Sequence, residues 1–160
     1  MRESMSDPAA SVRSATPHDM ERVGQLLHDF NREYDDPTPE PAWLSERVAR
    51  LIAGGDTVVL VAGEAPDAVA VMRFRESLWV SALECYLAEL YVAPAHRGRG
   101  LGRALMEAVL RTARERGAAY IDLNTGETDT AARNLYESLG FSASEGVPGG
   151  PINIYYEREL

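Results

Sequence analysis

The chain has 160 residues, of which 45% are hydrophobic and 26% charged, and its formal net charge is −9. That size and balance suit one globular domain with a real core, and the acidity argues against a nucleic-acid binder, which needs a basic face. A single cysteine, Cys85, excludes an intrachain disulfide and a cysteine-rich metal centre, and no apolar run approaches the ~20 residues of a bilayer span.

Residues 1–11 are polar and lack an apolar stretch, so they read as a disordered leader rather than a secretory signal. The domain then occupies residues 12–160, with a reducing cytoplasm as its expected compartment and no membrane partner. Residues 12–15 can form a short strand. Thr16-Pro17-His18-Asp19 supplies an N-cap, a proline at the first helical position and an acid that closes a capping box. Met20, Val23, Leu26, Leu27 and Phe30 follow at helical spacing. Residues 34–41, with three prolines and three acids, form a loop that cannot be helical throughout. A second helix spans 43–52 and stops at Gly54-Gly55.

Strands at 57–62 and 68–75 are joined by a turn at 63–67, and a long apolar strand covers 83–92. An amphipathic helix at 101–116 turns Leu101, Leu105, Ala108, Val109 and Ala113 inward and ends at Gly117. A strand at 119–124, a helix at 129–139 and a last strand at 152–157 complete the chain. The order is β-α-α-β-β-β-α-β-α-β-β, the strand before the last being an optional seventh. It implies an α/β domain: a mixed, mostly antiparallel twisted sheet of six or seven strands flanked by four helices. The crossover from 83–92 through 101–116 to 119–124 makes those two strands parallel.

The segment His96-Arg97-Gly98-Arg99-Gly100-Leu101-Gly102-Arg103 sits between a strand and a helix. The first turn of a helix has orphan N–H donors and the positive end of the macrodipole. Glycines leave that backbone bare, and arginine forks suit phosphate oxygens. A phosphate-bearing cofactor is the expected ligand. The glycine spacing fails the dinucleotide fingerprint. The nucleotide-hydrolase loop needs a lysine, and this chain contains none.

What remains matches Arg/Gln-x-x-Gly-x-Gly/Ala, and here the chain resembles the GNAT superfamily of acyl-CoA-dependent N-acetyltransferases. Residues 129–141, Asp-Thr-Ala-Ala-Arg-Asn-Leu-Tyr-Glu-Ser-Leu-Gly-Phe, are similar to a second motif of that family, with Asp129 where the family usually has Asn. The resemblance implies a GNAT-like fold and acetyl-CoA as co-substrate, with no metal. Arg97, Gly98, Arg99, Gly100, Leu101, Gly102 and Arg103 would hold the pyrophosphate. Leu90, Tyr91 and Val92 would pair with the pantetheine arm through their backbone. Asn124 and Asp129 would also lie at the cofactor. A homodimer is implied only by the same likeness.

Two residues are expected to carry proton chemistry. Tyr136 matches the family tyrosine that protonates the leaving thiolate, and a phenol with a pKa of about 10 keeps its proton at neutral pH. An alkyl amine is almost wholly protonated at pH 7, a cost of about 4.6 kcal/mol that a carboxylate base can relieve. Glu89, on the strand before the glycine loop, is the first candidate. Glu84 is the second, facing the other way unless a bulge intervenes. The expected reaction is acetyl transfer to the primary amine of a small molecule by direct attack in a ternary complex. A protein N-terminal acetyltransferase and a non-catalytic acyl-CoA-binding domain are the alternatives. Loops 31–43 and 76–83 and the turn at Gly146–Pro151 would set the acceptor.

Overall fold

The computed structural model describes residues 11–160, so the expected leader falls almost wholly outside the described residues. Five strands form one sheet in the order β1-β2-β3-β4-β5: Val12–Ser14, Thr57–Ala62, Ala68–Glu76, Leu83–Val92 and Ala118–Leu123. The first four are antiparallel neighbours, and β4 runs parallel to β5 across the helical crossover. Four helices accompany them: α1 (Met20–Glu33), α2 (Pro41–Ala53), α3 (Leu101–Glu115) and α4 (Thr130–Ser138).

The strand count is a correction. Residues 152–157 make no ladder, and Ile152 contributes a single bridge to Ser144. The helix at 43–52 also starts earlier than expected. Pro41 opens α2, because a proline at the first helical position has no N–H that needs a partner.

Residues 11–123 form one compact unit and residues 124–160 a second. In the first, β1 is tied to the start of α1 by Asp19. Its carboxylate takes Arg13 at 2.6 and 2.9 Å and the Thr16 amide at 2.7 Å, completing the capping box. The Arg13 guanidinium, with help from Thr16, holds this buried carboxyl far below the ordinary range. A short 3-10 turn, Pro17–Asp19, precedes the α-helix.

The register assigns the two sheet faces. Val59, Val61, Val69, Val71 and Tyr91 pack with Met20, Val23, Leu26 and Leu27 of α1 and Val48 of α2. Burying each such aliphatic side chain contributes roughly 1.5–3 kcal/mol. The helices approach closely at Gly24, where a Cβ would collide with Ser45 and the Pro41 carbonyl. Leu60, Ala70, Met72 and Leu87 alternate onto the opposite face, where α3 packs with Leu105, Met106 and Val109 buried. Among the described residues, no helix is long and apolar enough to cross a membrane.

Candidate active site

The loop between β4 and α3 takes the shape an anion needs. After a 3-10 turn at Pro94–His96, Gly98 adopts φ +74° and Gly100 φ +83°, left-handed values that cost most other residues about 1–2 kcal/mol. Gly100 is the N-cap of α3, and no side chain caps it. The N–H groups of residues 98–102 donate to no acceptor among the described residues. A Cβ built on Gly98 would meet nothing within 4 Å, so the space beside the backbone is open. Bare donors, open space and the helix dipole fit the diphosphate of acetyl-CoA. Leu101 and Gly102 form the first turn of α3, and Arg99 and Arg103 are exposed beside it.

Arg97 differs from expectation. Its Nε donates to the Val92 carbonyl at 2.9 Å, and its two terminal nitrogens grip the Glu33 carboxylate at 2.7 and 2.6 Å. The same guanidinium lies over the Tyr91 ring, 5.5 Å from its centroid. A carboxylate already fills the fork, so Arg97 braces the loop through its side chain.

The strand before the loop has a free edge. β4 stays paired with β3 up to Val92, opposite Ala68, but its ladder with β5 ends at Leu87, opposite Leu123. Residues 88–92, with Leu90, Tyr91 and Val92 among them, therefore carry main chain that no described strand covers on that side. An extended ligand arm that pairs like a strand requires this. The Tyr91 side chain is committed to the core, stacked on Phe30 at 5.0 Å.

Glu89 stands on this open stretch. Val71 faces Glu89 while the next residue, Met72, faces Leu87, so Ala88 is an extra residue and β4 bulges there. The bulge reverses the side-chain alternation, and Glu84, Tyr86, Glu89 and Tyr91 all fall on the face that α1 and α2 cover at its other end. Glu84 was expected to face away only in an unbulged strand, and the bulge turns it to the Glu89 side. It nonetheless bonds Arg75 at 2.9 Å, which leaves it a poor base. Glu89 makes no hydrogen bond or ion pair with any described residue, and burial pushes its carboxyl above the ordinary range. A half-buried carboxyl that binds protons more readily can act as a base nearer neutral pH.

The same face carries residues that the sequence did not single out. Arg73 lies opposite Tyr86 on β3, and Asp122 lies opposite Tyr86 on β5. Their only signal in the sequence is period two: Val69, Val71 and Arg73 share a side.

In the second unit, Asn124 directly follows β5. Asp129 is the N-cap of α4, its Oδ1 accepting from the Ala132 amide at 3.1 Å. Tyr136 is buried on α4 with its ring 6.0 Å from that of Phe141.

Other polar candidates have structural occupations. Cys85 is buried and its thiol is pushed up to about 11 by burial, which suits a small hydrophobe and not a nucleophile. His28 Nδ1 lies 2.9 Å from the Pro39 carbonyl, and His96 Nε2 lies 3.3 Å from Asp67. Trp79 is exposed on the turn between β3 and β4.

Comparison with known proteins bears on the family and the fold. The family model described as acetyltransferase (GNAT) family matches residues 22–141. A mycothiol acetyltransferase of Thermobispora bispora is 34% identical over 139 residues, which cover 84% of this chain and 41% of that protein. The chain thus spans less than half the length of that curated relative. N-alpha-acetyltransferase 40 of Saccharomyces cerevisiae is 41% identical over 76 residues, 43% of this chain and 27% of its own. A crystal structure from Arthrobacter sp. FB24, assigned as an acetyltransferase, superposes with a TM-score of 0.84 at 45% identity, covering 93% of this chain and 95% of that one.

Proposed function

The chain belongs to the acetyltransferase (GNAT) family, and from that premise we propose that it transfers the acetyl group of acetyl-CoA to the primary amine of a small molecule by direct attack. The observation that carries this reading is the parting of β4 from β5 after Leu87, with unpaired Glu89 on the freed stretch. Bound acetyl-CoA supplies the acyl group as a thioester. The amides of residues 98–102 would hold its diphosphate, and the main chain of Leu90, Tyr91 and Val92 its extended arm. Glu89 Oε would take the proton of the incoming ammonium, directly or through one water. Tyr136 Oη, placed in this role by its motif, would give a proton to the departing sulfur. Asn124 and Asp129 complete the proposed cofactor residues, with Asp129 acting through the helix it caps.

The test is incubation with acetyl-CoA and a panel of amines, polyamines, amino acids and peptides with free N-termini, read as release of free thiol. Turnover on small amines supports the proposal. The likeness to a yeast N-alpha-acetyltransferase favours a second reading, in which turnover is confined to peptides. Binding of acetyl-CoA with no turnover on any acceptor would leave a non-catalytic acyl-CoA-binding domain.

A further inference from the structure

Arg73 is the one buried side-chain donor without an acceptor among the described residues: its Nε is shielded from solvent and bonds nothing. The rest of its guanidinium likewise makes no hydrogen bond or ion pair with any described residue. Its neighbour Arg75 differs, being exposed and matched to Glu84. Arg73 is flanked by Thr57 on β2 and Tyr86 on β4, and neither offers it a carboxylate. Asp122 stands one strand further, beyond Tyr86. A desolvated N–H of a cation with no acceptor is an unfavourable state that a bound anion relieves, and the terminal nitrogens beside it are not buried. The register also states where such an anion would sit. Val71 faces Glu89, and Arg73 is two residues further along the same face, an advance of about 6.6 Å. A carboxylate that binds amines and an arginine that binds acids therefore share one side of the sheet, a few bonds of a small molecule apart.

We propose that Arg73 is a specificity residue of the acceptor site, receiving the carboxylate of an acceptor whose amine is presented to Glu89. The substrate class is then a zwitterionic amino acid rather than a simple amine or polyamine. This rests on Glu89 marking the acceptor face. A guanidinium receives a planar carboxylate through two parallel N–H bonds, and an uncharged amide in the same place cannot repay its desolvation equally.

The experiment compares glycine, β-alanine, 4-aminobutyrate and 5-aminovalerate with their primary amides as acceptors, in the unsubstituted protein and in Arg73→Gln and Arg73→Lys. The expected result is an acid preferred over its amide by about tenfold or more in kcat/KM. That preference should fall to within about twofold in Arg73→Gln, through KM, and be partly restored in Arg73→Lys. Equal use of acids and amides by the unsubstituted protein overturns the proposal, as does a preference that survives Arg73→Gln. Aminoalkylphosphonates outpacing the matched acids would overturn the choice of carboxylate. If no amine is turned over, the reading of the function fails, and the anion site is judged separately. Titration of the unsubstituted protein with propionate should then shift the Arg73 Nε–Hε resonance saturably, and an unmoved resonance overturns the proposal without a variant having to fold.

Discussion

Glu33, the last residue of α1, closes both carboxylate oxygens on the guanidinium of Arg97, 64 residues further along the chain. The arginine holds that carboxyl below its ordinary range, and Arg97 Nε simultaneously caps the Val92 carbonyl at the end of β4. One side chain thereby joins the end of α1, the strand with the free edge and the glycine loop. Brace and phosphate ligand make opposite demands on a conservative change. A lysine keeps the charge but cannot fork, so Arg97→Lys should behave like Arg97→Ala. Each should raise the Kd for acetyl-CoA about fivefold, near 1 kcal/mol for a charged bond at a partly exposed site. Calorimetric titration checks this, and full rescue by lysine would show that charge is what matters.

Gly98 separates strain from obstruction. An added Cβ touches no other part of the chain, so Gly98→Ala costs only its positive φ, about 1–2 kcal/mol. Loss of acetyl-CoA affinity beyond what the drop in Tm explains would come from the methyl group filling the ligand's place. We expect a tenfold weaker Kd, or about 1.4 kcal/mol, with the fold intact by circular dichroism.

Glu89→Gln should move activity and stability in opposite directions. Burial raises the carboxyl pKa in the folded state, so ionising Glu89 costs stability. That cost is absent below the unfolded pKa, grows as pH rises through the interval up to the raised folded value, and stays constant above it. The variant should therefore melt higher than the parent at neutral pH and equally at low pH. Its kcat/KM should fall about 100-fold at pH 7 and recover towards pH 10, where the amine sheds its own proton. Melting curves and a rate profile across pH test both halves.

Asp129 and Tyr136 share α4 and divide by experiment. An aspartate or an asparagine caps a helix equally well, so Asp129→Asn should leave Tm unchanged, whereas Asp129→Ala should cost about 1 kcal/mol. Tyr136→Phe keeps the ring against Phe141 and removes only the hydroxyl. Its kcat should drop about 10- to 100-fold with the Kd for acetyl-CoA unchanged. Stopped-assay turnover and calorimetry distinguish the two.

Local chemistry made most of the elements legible in the sequence. The spacing of Met20, Val23, Leu26 and Leu27 places α1, and the run through Val92 into Gly98 and Gly100 places the loop and its helix. The remainder depended on partners far along the chain. Nothing near Arg97 announces Glu33, and nothing in β3 says that Arg75 finds a carboxylate while Arg73 does not. The side on which Glu84 lies turned on one extra residue, because a strand's alternation is readable only if its pairing is regular. Residues 152–157 have the alternation of a strand, yet they form only one isolated bridge, Ile152 with Ser144, since apolar pattern alone does not provide a neighbouring edge.

The bulge at Ala88 makes β4 a strand with two phases. Upstream of it, odd-numbered residues look towards α3, and downstream of it even-numbered ones do. Losing or gaining a single amino acid at that point would invert one half of the strand against the other. It would send Glu84 and Tyr86 into the apolar layer while Glu89 and Tyr91 kept their outlook, so length at this position is as constrained as chemistry.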